Sequence, residues 1–296
     1  MPRKTPLAGL VAVLLITLAV PAAAQAAKAK PQYYVSLGDS YAVGWQRPAQ
    51  DVRGPTKQGF ADQTVKLAKA KNYKLKLVNF GCGGATTTSI LESKGCPKEA
   101  RALGAPKYKS TQVKAAERFL RAHRGQVKLV TVSIGGNDVT ACASEADPVA
   151  CVGGATDSIK KNVSTLAKRL RKAGGKKVKI VGTTYPDVIL GKWVYPPVNQ
   201  DLAKLSVVAF SALVNPSLKT AYAAGKGKFV DVTEATGAYG SLDETTTLAP
   251  YGTIPVPVAK ICELTWFCQF GDIHSKKAGY KVIAELIVGT LPKLKQ

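Results

Sequence analysis

Short apolar runs alternate with amphipathic segments along the chain after residue 30. Runs rich in β-branched and aromatic residues predict strands over 33–37, 75–80, 128–134, 177–183 and 229–232. Helical spacing predicts helices over 59–70, 111–123, 157–172, 201–224 and 276–291, with Thr111 as a cap and Pro216 as an interruption. This alternation predicts an α/β fold with a central, mostly parallel five-stranded sheet covered by helices on both faces.

The first 30 residues follow another pattern. Arg3 and Lys4 precede an uncharged apolar run from Leu7 to Val20, which is followed by Pro21 and several alanines. The run is shorter than the ~20 residues that span a bilayer, and the layout is typical of a secretory signal peptide. We predict a signal peptide over 1–27, with an approximate cleavage site, and one exported (extracellular) domain over 28–296. The alternative is an uncleaved membrane anchor.

Cysteine content agrees with export, because six cysteines suit an oxidising compartment. Six cysteines allow fifteen pairings, among which we predict the three between sequence neighbours. The alternative for the last pair is a zinc site with His274, which the spacing disfavours. The predicted pairs are Cys82 with Cys96, Cys142 with Cys151, and Cys262 with Cys268.

The formal net charge is +23, from 42 lysines and arginines against 19 acidic residues. Such a surface attracts phospholipid headgroups, acidic wall polymers or nucleic acid. The lysines are scattered along the sequence and are not interleaved with aromatic residues, and no nucleic-acid motif is present. We expect a basic surface that could contact an anionic surface or lipid, no specific nucleic-acid partner, and a monomer.

Three polar, glycine-rich stretches follow the first three predicted strands. They contain Ser40, then Gly83 with Gly84, then Gly136 with Asn137. Ligands of parallel sheets bind beyond the carboxyl ends of the strands, so these residues are expected at one edge of the sheet.

The residues at this edge suit a serine hydrolase, which needs a nucleophile, a base and donors for an oxyanion. Ser40 lies in Gly38-Asp39-Ser40-Tyr41-Ala42, which lacks the second glycine of the G-x-S-x-G elbow. Of the two histidines, His274 precedes the last helix and is the better base, because His123 lies between arginines at a helix end. A glycine N–H and the Asn137 amide could donate to the oxyanion.

Four blocks in order, GDSYAVG, NFGCGGATTTS, IGGND and DIHSKKAGY, resemble the SGNH (GDSL-type) hydrolase family. The C-x-GATT and C-x-LT-x-x-C stretches are most similar to secreted actinobacterial-type lipases and esterases. The resemblance implies a flavodoxin-like three-layer sandwich and ester hydrolysis through an acyl-enzyme, without metal or cofactor. It implies Ser40 as nucleophile, His274 as base, and an oxyanion hole formed by Ser40, Gly84 and Asn137. Asp39 and Asp138 are expected to brace the loops.

The sequence departs from the family where an aspartate normally orients the histidine. That position is Gly271, and Asp272 lies only two residues before His274. We therefore expect a Ser–His dyad in which a backbone carbonyl near Phe270 or Gly271 orients the imidazole, with Asp272 as the alternative.

The substrate class stays open at this point. A small-molecule or lipid ester is expected, and a carbohydrate O-deacetylase, a phospholipase or a catalytically silent cell-surface binding protein are the alternatives. Segment 242–260 has no clear period and predicts a long loop. Aromatic residues near it could line an acyl or sugar site or lie in the core: Trp193, Tyr195, Tyr251, Trp266 and Phe267.

Overall fold

The computed structural model describes residues 1–3 and 30–295. The predicted signal peptide falls almost entirely outside these residues. The strands, numbered along the chain, are β1 (Gln32–Gly38), β2 (Trp45–Ala49), β3 (Val52–Pro55), β4 (Leu75–Asn79), β5 (Val127–Ser133), β6 (Lys179–Thr183), β7 (Lys228–Val230), β8 (Thr245–Leu248) and β9 (Gly252–Pro255).

The helices are short, except for one of 27 residues. They are α1 (Phe60–Leu67), α2 (Ser89–Glu92), α3 (Gln112–Ala122), α4 (Gly136–Thr140), α5 (Pro148–Gly174), α6 (Gln200–Val208), α7 (Asn215–Ala223), α8 (Val232–Ala235), α9 (Val256–Leu264), α10 (Phe267–Phe270) and α11 (Lys277–Gly289). A 3-10 segment covers Val188–Trp193, and a π-helical turn covers Ala209–Val214.

A five-stranded parallel sheet in the order β4-β1-β5-β6-β7 forms the centre of the fold. Each of its strands lies within two residues of the predicted bounds. Gly38, Ser133 and Thr183 are in register, so the carboxyl ends of β1, β5 and β6 are aligned. The predicted parallel sheet is confirmed.

Two apolar clusters cover the two faces of this sheet and complete the predicted three-layer α/β arrangement. Alternate residues of β1 point to opposite faces: Val35 packs with α3, α5 and α7, and Tyr34 packs with α1 and α11. The period-2 pattern of the strand thus divides the core into two layers.

The structure departs from the sequence prediction in two regions. Segment 242–260 is not a loop: it contains the β8–β9 hairpin and most of α9. Helix α5 begins at Pro148, where the Asp147 side chain accepts from the N–H of Ala150. The predicted interruption at Pro216 is present, because a π-helical turn precedes the proline, which has no N–H to donate.

Three disulfides join sequence neighbours, as predicted: Cys82–Cys96, Cys142–Cys151 and Cys262–Cys268. The last of them removes the zinc alternative, because disulfide sulfurs are not thiolate ligands.

Candidate active site

Ser40 lies in the turn that follows β1 and is 8% exposed. The turn depends on Gly38, whose φ is +131°, because a Cβ there would lie 2.0 Å from the carbonyl oxygen of Ser133 on the adjacent strand. The Gln112 side chain fixes the same glycine: its Oε1 accepts from the Gly38 N–H at 2.7 Å, and its Nε2 donates to the Gly38 carbonyl at 3.0 Å.

Asp39, beside the predicted nucleophile, is buried and points into the protein. Its Oδ2 accepts from the Tyr185 hydroxyl at 2.5 Å, and its Oδ1 accepts from the N–H of Tyr41 at 2.9 Å. Burial is the largest cause of its altered acidity and raises the pKa of Asp39 to about 7, although both hydrogen bonds act in the opposite direction. Asp39 therefore braces the turn from the protein interior.

The predicted oxyanion donors lie on two adjoining segments. Asn137 is in α4, directly after β5, and its Nδ2 donates to the carbonyl of Ala85 at 2.8 Å. One hydrogen of that amide remains for another acceptor. Gly84 has a φ of +78° and is exposed, and its N–H donates to no acceptor among the described residues. The N–H of Ser40 is equally free within that part of the chain.

Asp138 holds these two segments together. Its carboxylate accepts from the Thr87 hydroxyl at 2.6 Å and from the Thr87 N–H at 3.0 Å. The loop after β4 is thus fixed to the helix after β5, and the donors Gly84 and Asn137 are fixed with it.

His274 is oriented by a carboxylate, contrary to the expected backbone carbonyl. Its Nδ1 lies 2.6 Å from Oδ1 of Asp272, and its own N–H donates to the same oxygen at 2.9 Å. The reason is local: Gly271 adopts a left-handed conformation with φ +63°, and Asp272 then forms an Asx-type turn that bends its side chain onto the residue two positions ahead. The carbonyl of Phe270 instead accepts from Arg47 at 3.3 Å.

Opposing effects act on the acidity of Asp272. Burial is the largest and acts to raise the pKa of Asp272. The hydrogen bond and charge of His274, together with the more distant charge of Arg47, outweigh burial and lower the pKa of Asp272 below its ordinary value. The carboxylate is therefore charged at neutral pH. On the other side of the ring, the buried Nε2 of His274 has no hydrogen-bond partner among the described residues.

Aromatic contacts hold the histidine loop against the serine turn. The Tyr41 hydroxyl donates to the carbonyl of Ile273 at 2.6 Å, and the Tyr280 hydroxyl donates to the carbonyl of Trp45 at 2.7 Å. The Trp45 and His274 ring centroids are 5.9 Å apart. The neighbours of Ser40 in the sequence therefore contact the neighbours of His274, which holds the two loops together.

An apolar cavity of about 100 Å³ opens beside Ser40 and Asn137, which both line it. The wall between them and α6 is formed mainly by aliphatic and aromatic side chains. They include Val149, Val152, Ile189, Leu205, Phe210 and Ile273.

Residues 36–282 match the model of the GDSL-like lipase/acylhydrolase family. The chain belongs to this family. A phospholipase A1 from Streptomyces albidoflavus NA297 aligns with 16% identity over 87% of this chain and 100% of its own, with a TM-score of 0.47. An extracellular lipase from Streptomyces rimosus aligns with 16% identity over 86% and 99%, with a TM-score of 0.46. A carbohydrate acetylesterase from Sinorhizobium meliloti aligns with 13% identity over 88% of this chain and 100% of its own, with a TM-score of 0.44. No curated protein matches the chain.

Membership of the GDSL-like family makes the protein a hydrolase that acts on esters. Four predicted site residues of this hydrolase, Ser40, Gly84, Asn137 and His274, lie on loops or short helices that other side chains fix to one another.

Sequence reasoning missed Tyr185 in this GDSL-like hydrolase. It follows β6, and its ring packs so closely on Gly136 that a Cβ there would lie 3.0 Å away. The sequence did contain a sign of its position: Tyr185 is a polar aromatic residue just after β6, the fourth strand of the central sheet along the chain. The five aromatic candidates do not line the cavity: Trp193 and Tyr251, for example, pack around a separate cluster formed by α9 and its neighbours.

Proposed function

We propose that the protein is an exported serine esterase that cleaves carboxylic esters of short acyl groups through an acyl-enzyme on Ser40. The observation that carries this proposal is the apolar cavity, whose wall includes both Ser40 and Asn137. An acyl chain in that cavity would place its carbonyl between a hydroxyl nucleophile and free N–H donors.

In the proposed reaction, Nε2 of His274 takes the proton of Ser40 as the serine oxygen attacks the ester carbonyl carbon. The N–H groups of Ser40 and Gly84 and the Asn137 amide stabilise the oxyanion. The carbonyl re-forms, the bond to the alcohol oxygen breaks, and the imidazolium gives its proton to the leaving alcohol. Water then attacks the acyl-enzyme with His274 again as base, which releases the carboxylic acid and restores Ser40. Asp272 stabilises the imidazolium in both halves.

Cavity size supports a preference for short acyl groups. A cavity of ~150 Å³ accommodates one benzene molecule, which has six carbons. The cavity of about 100 Å³ beside Ser40 is smaller in proportion, so it can enclose roughly four carbons of an acyl chain. Its apolar wall favours an acyl chain over a sugar.

The test compares p-nitrophenyl acetate, butyrate, octanoate and palmitate as substrates of the wild type, Ser40→Ala and Val152→Phe. Ser40→Ala should abolish turnover of all four, whereas Ser158→Ala, an exposed serine of α5, should behave as wild type. Val152→Phe, which fills the cavity wall, should lower kcat/KM for butyrate more than for acetate. Retained activity of pure Ser40→Ala would refute the assignment of Ser40 as the nucleophile. Equal rates on palmitate and butyrate would refute the preference for short acyl groups.

Two further substrates, acetylated sugars and phospholipid, and one probe test the alternative functions. Faster deacetylation of acetylated sugars, or faster release of fatty acid from phospholipid, would replace the proposed substrate class but keep Ser40. A fluorophosphonate probe that failed to label Ser40 would instead favour a silent binding protein.

Export is supported by the three disulfides, which form and persist in oxidising compartments. Within residues 1–3 and 30–295, no helix is long and apolar enough to cross a bilayer. Mass spectrometry of the protein from culture medium should find an N-terminus near residue 28, and a chain that retains residues 1–27 in the membrane fraction would contradict the prediction.

A further inference from the structure

Lysines that are scattered in the sequence come together at one edge of the sheet. Because the central strands are parallel, their amino ends share the edge opposite Ser40. The segments there carry many basic residues. We call them the basic face, which consists of residues 69–76, 121–128, 168–179, 226–228 and 293–295.

All the charged residues of the basic face are lysines and arginines. Its segments hold eighteen lysines and arginines and none of the 19 acidic residues of the chain. Cations are favoured at helix C-termini, which also lie at this edge, but that preference concerns only the last turn of each helix. It does not account for Lys74, Lys177 or Lys228, which stand at or just before the starts of strands.

Side chains bind these segments to their neighbours in two groups. Lys71 donates to the carbonyl of Leu291 at 2.6 Å, which joins the first segment to the C-terminus. Arg124 donates to the carbonyl of Lys172 at 3.1 Å, and Arg171 donates to the carbonyl of Lys226 at 3.0 Å. Because the segments precede β4, β5, β6 and β7, the face spans the whole width of the sheet, which is roughly 20 Å for five strands.

At the β4 end of this surface lies a broad depression of about 800 Å³. It is lined by three lysines, Lys69, Lys74 and Lys295, together with Asn72, Tyr73 and Leu75. A concave site with three ammonium groups and no carboxylate favours an anionic chain that extends beyond a single charge.

Arginines and lysines of the face differ in their availability. Arg169 pairs with Glu117 at 2.8 Å, and Arg171 and Arg124 donate to backbone carbonyls. The lysines of the basic face form no ion pair among the described residues. Lysine binds phosphate as a mobile point charge, without the fixed fork that suits a planar carboxylate. We propose that the basic face binds a flexible linear polymer of phosphodiester-linked polyols, outside the cell and without nucleobases.

Other polyanions fit the face less well. Nucleic acid binding without sequence preference uses aromatic stacking platforms, whereas the tyrosine in the depression is 4% exposed. A lipid surface favours exposed apolar side chains, and none of the large exposed apolar residues of the described chain lies in these segments. A membrane bound here would also leave the cavity beside Ser40 at the opposite edge of the sheet.

The experiment measures binding of poly(glycerol phosphate) to the exported protein by fluorescence anisotropy at 50, 100 and 200 mM salt. The variant replaces Lys69, Lys74, Lys177 and Lys228 with glutamine. Loss of one lysine near an anionic surface weakens binding roughly fivefold, so four should weaken it by about 100-fold or more. The slope of log K against log salt should fall by about 3, at roughly 0.7 per lost contact.

A matched control removes the same charge elsewhere: Lys94, Lys98, Lys107 and Lys109, all exposed on the connection after β4, are replaced with glutamine. The control should bind within about threefold of wild type, and both variants should hydrolyse p-nitrophenyl butyrate at the wild-type rate. An equal loss in the control variant would overturn the proposal. Tighter binding to single-stranded DNA or to anionic phospholipid vesicles, at equal phosphate concentration, would overturn it as well.

Discussion

Asp272→Asn is the most informative substitution, because asparagine keeps the shape of the side chain and removes its charge. In the structure one oxygen, Oδ1, accepts from both the Nδ1 and the N–H of His274. The amide oxygen of asparagine can accept both hydrogen bonds, so the imidazole should keep its orientation and tautomer. The variant then isolates the electrostatic support of the imidazolium.

The size of that support can be estimated. With the Nδ1–Oδ1 distance at 2.6 Å, the two charges are centred roughly 4 Å apart. At an effective dielectric constant of about 20 they attract by about 4 kcal/mol, which corresponds to about 10³ in rate. We expect kcat to fall by that factor with little change in KM. A protease triad loses ~10⁴, because its asparagine variant imposes the wrong tautomer.

The assay is p-nitrophenyl butyrate hydrolysis at pH 8, with thermal unfolding as a check on the fold. Asp51→Asn, an exposed carboxylate in the turn between β2 and β3, is the control and should retain wild-type activity. If Asp272→Asn retains more than a tenth of the wild-type kcat, the carboxylate is not the group that supports His274. The expected backbone carbonyl would then be restored as its partner.

Three further changes test other parts of the site and fold. Asn137→Ala should lower kcat by about 10²–10³ through loss of one oxyanion donor, and an unchanged kcat would remove Asn137 from the oxyanion hole. Asp187 is buried beneath the cavity and hydrogen-bonded to Ser206, and burial raises its pKa to about 7. The unfolded carboxyl ionises near pH 4, so the stability from this group is present below about pH 4 and is lost as pH rises to about 7. Asp187→Asn should therefore reduce the fall in Tm between pH 4 and 8, although Asp39 would continue to contribute, and a fall as steep as that of wild type would refute this attribution. Cys262→Ser with Cys268→Ser opens a short loop next to the histidine and should cost about 2 kcal/mol of unfolding free energy, measured in urea; no loss would mean that the bond does not stabilise the fold.

Most of the fold could be predicted because its central strands are buried on both faces. Such strands appear in the sequence as short apolar runs, for example Val127–Ser133. The β8–β9 hairpin could not, since its first strand is built of exposed threonines and no apolar alternation marks it. The start of α5 was obscured by Gly153 and Gly154, which lower helix propensity but are tolerated inside a long helix.

Within the site, the residues on strand ends were predictable and the partner of His274 was not. A parallel sheet aligns its strand ends whatever the loops do, so Ser40, Gly84 and Asn137 follow from topology. The contact between Asp272 and His274 depends instead on the left-handed backbone of Gly271, which sequence spacing does not specify. Tyr185 and the cavity depend on packing between segments that are far apart in the chain.

The close approach of Gly38 to Ser133 also limits how this enzyme can change. Any side chain at position 38 would collide with backbone that cannot retreat, because β5 lies in the middle of the sheet and is paired on both sides. Replacement of the whole loop after β1 would have to retain this one glycine. The opposite edge has no such constraint, since its lysines project from strand starts into solvent. Mutation can therefore change the proposed binding face while the backbone that holds Ser40 stays the same.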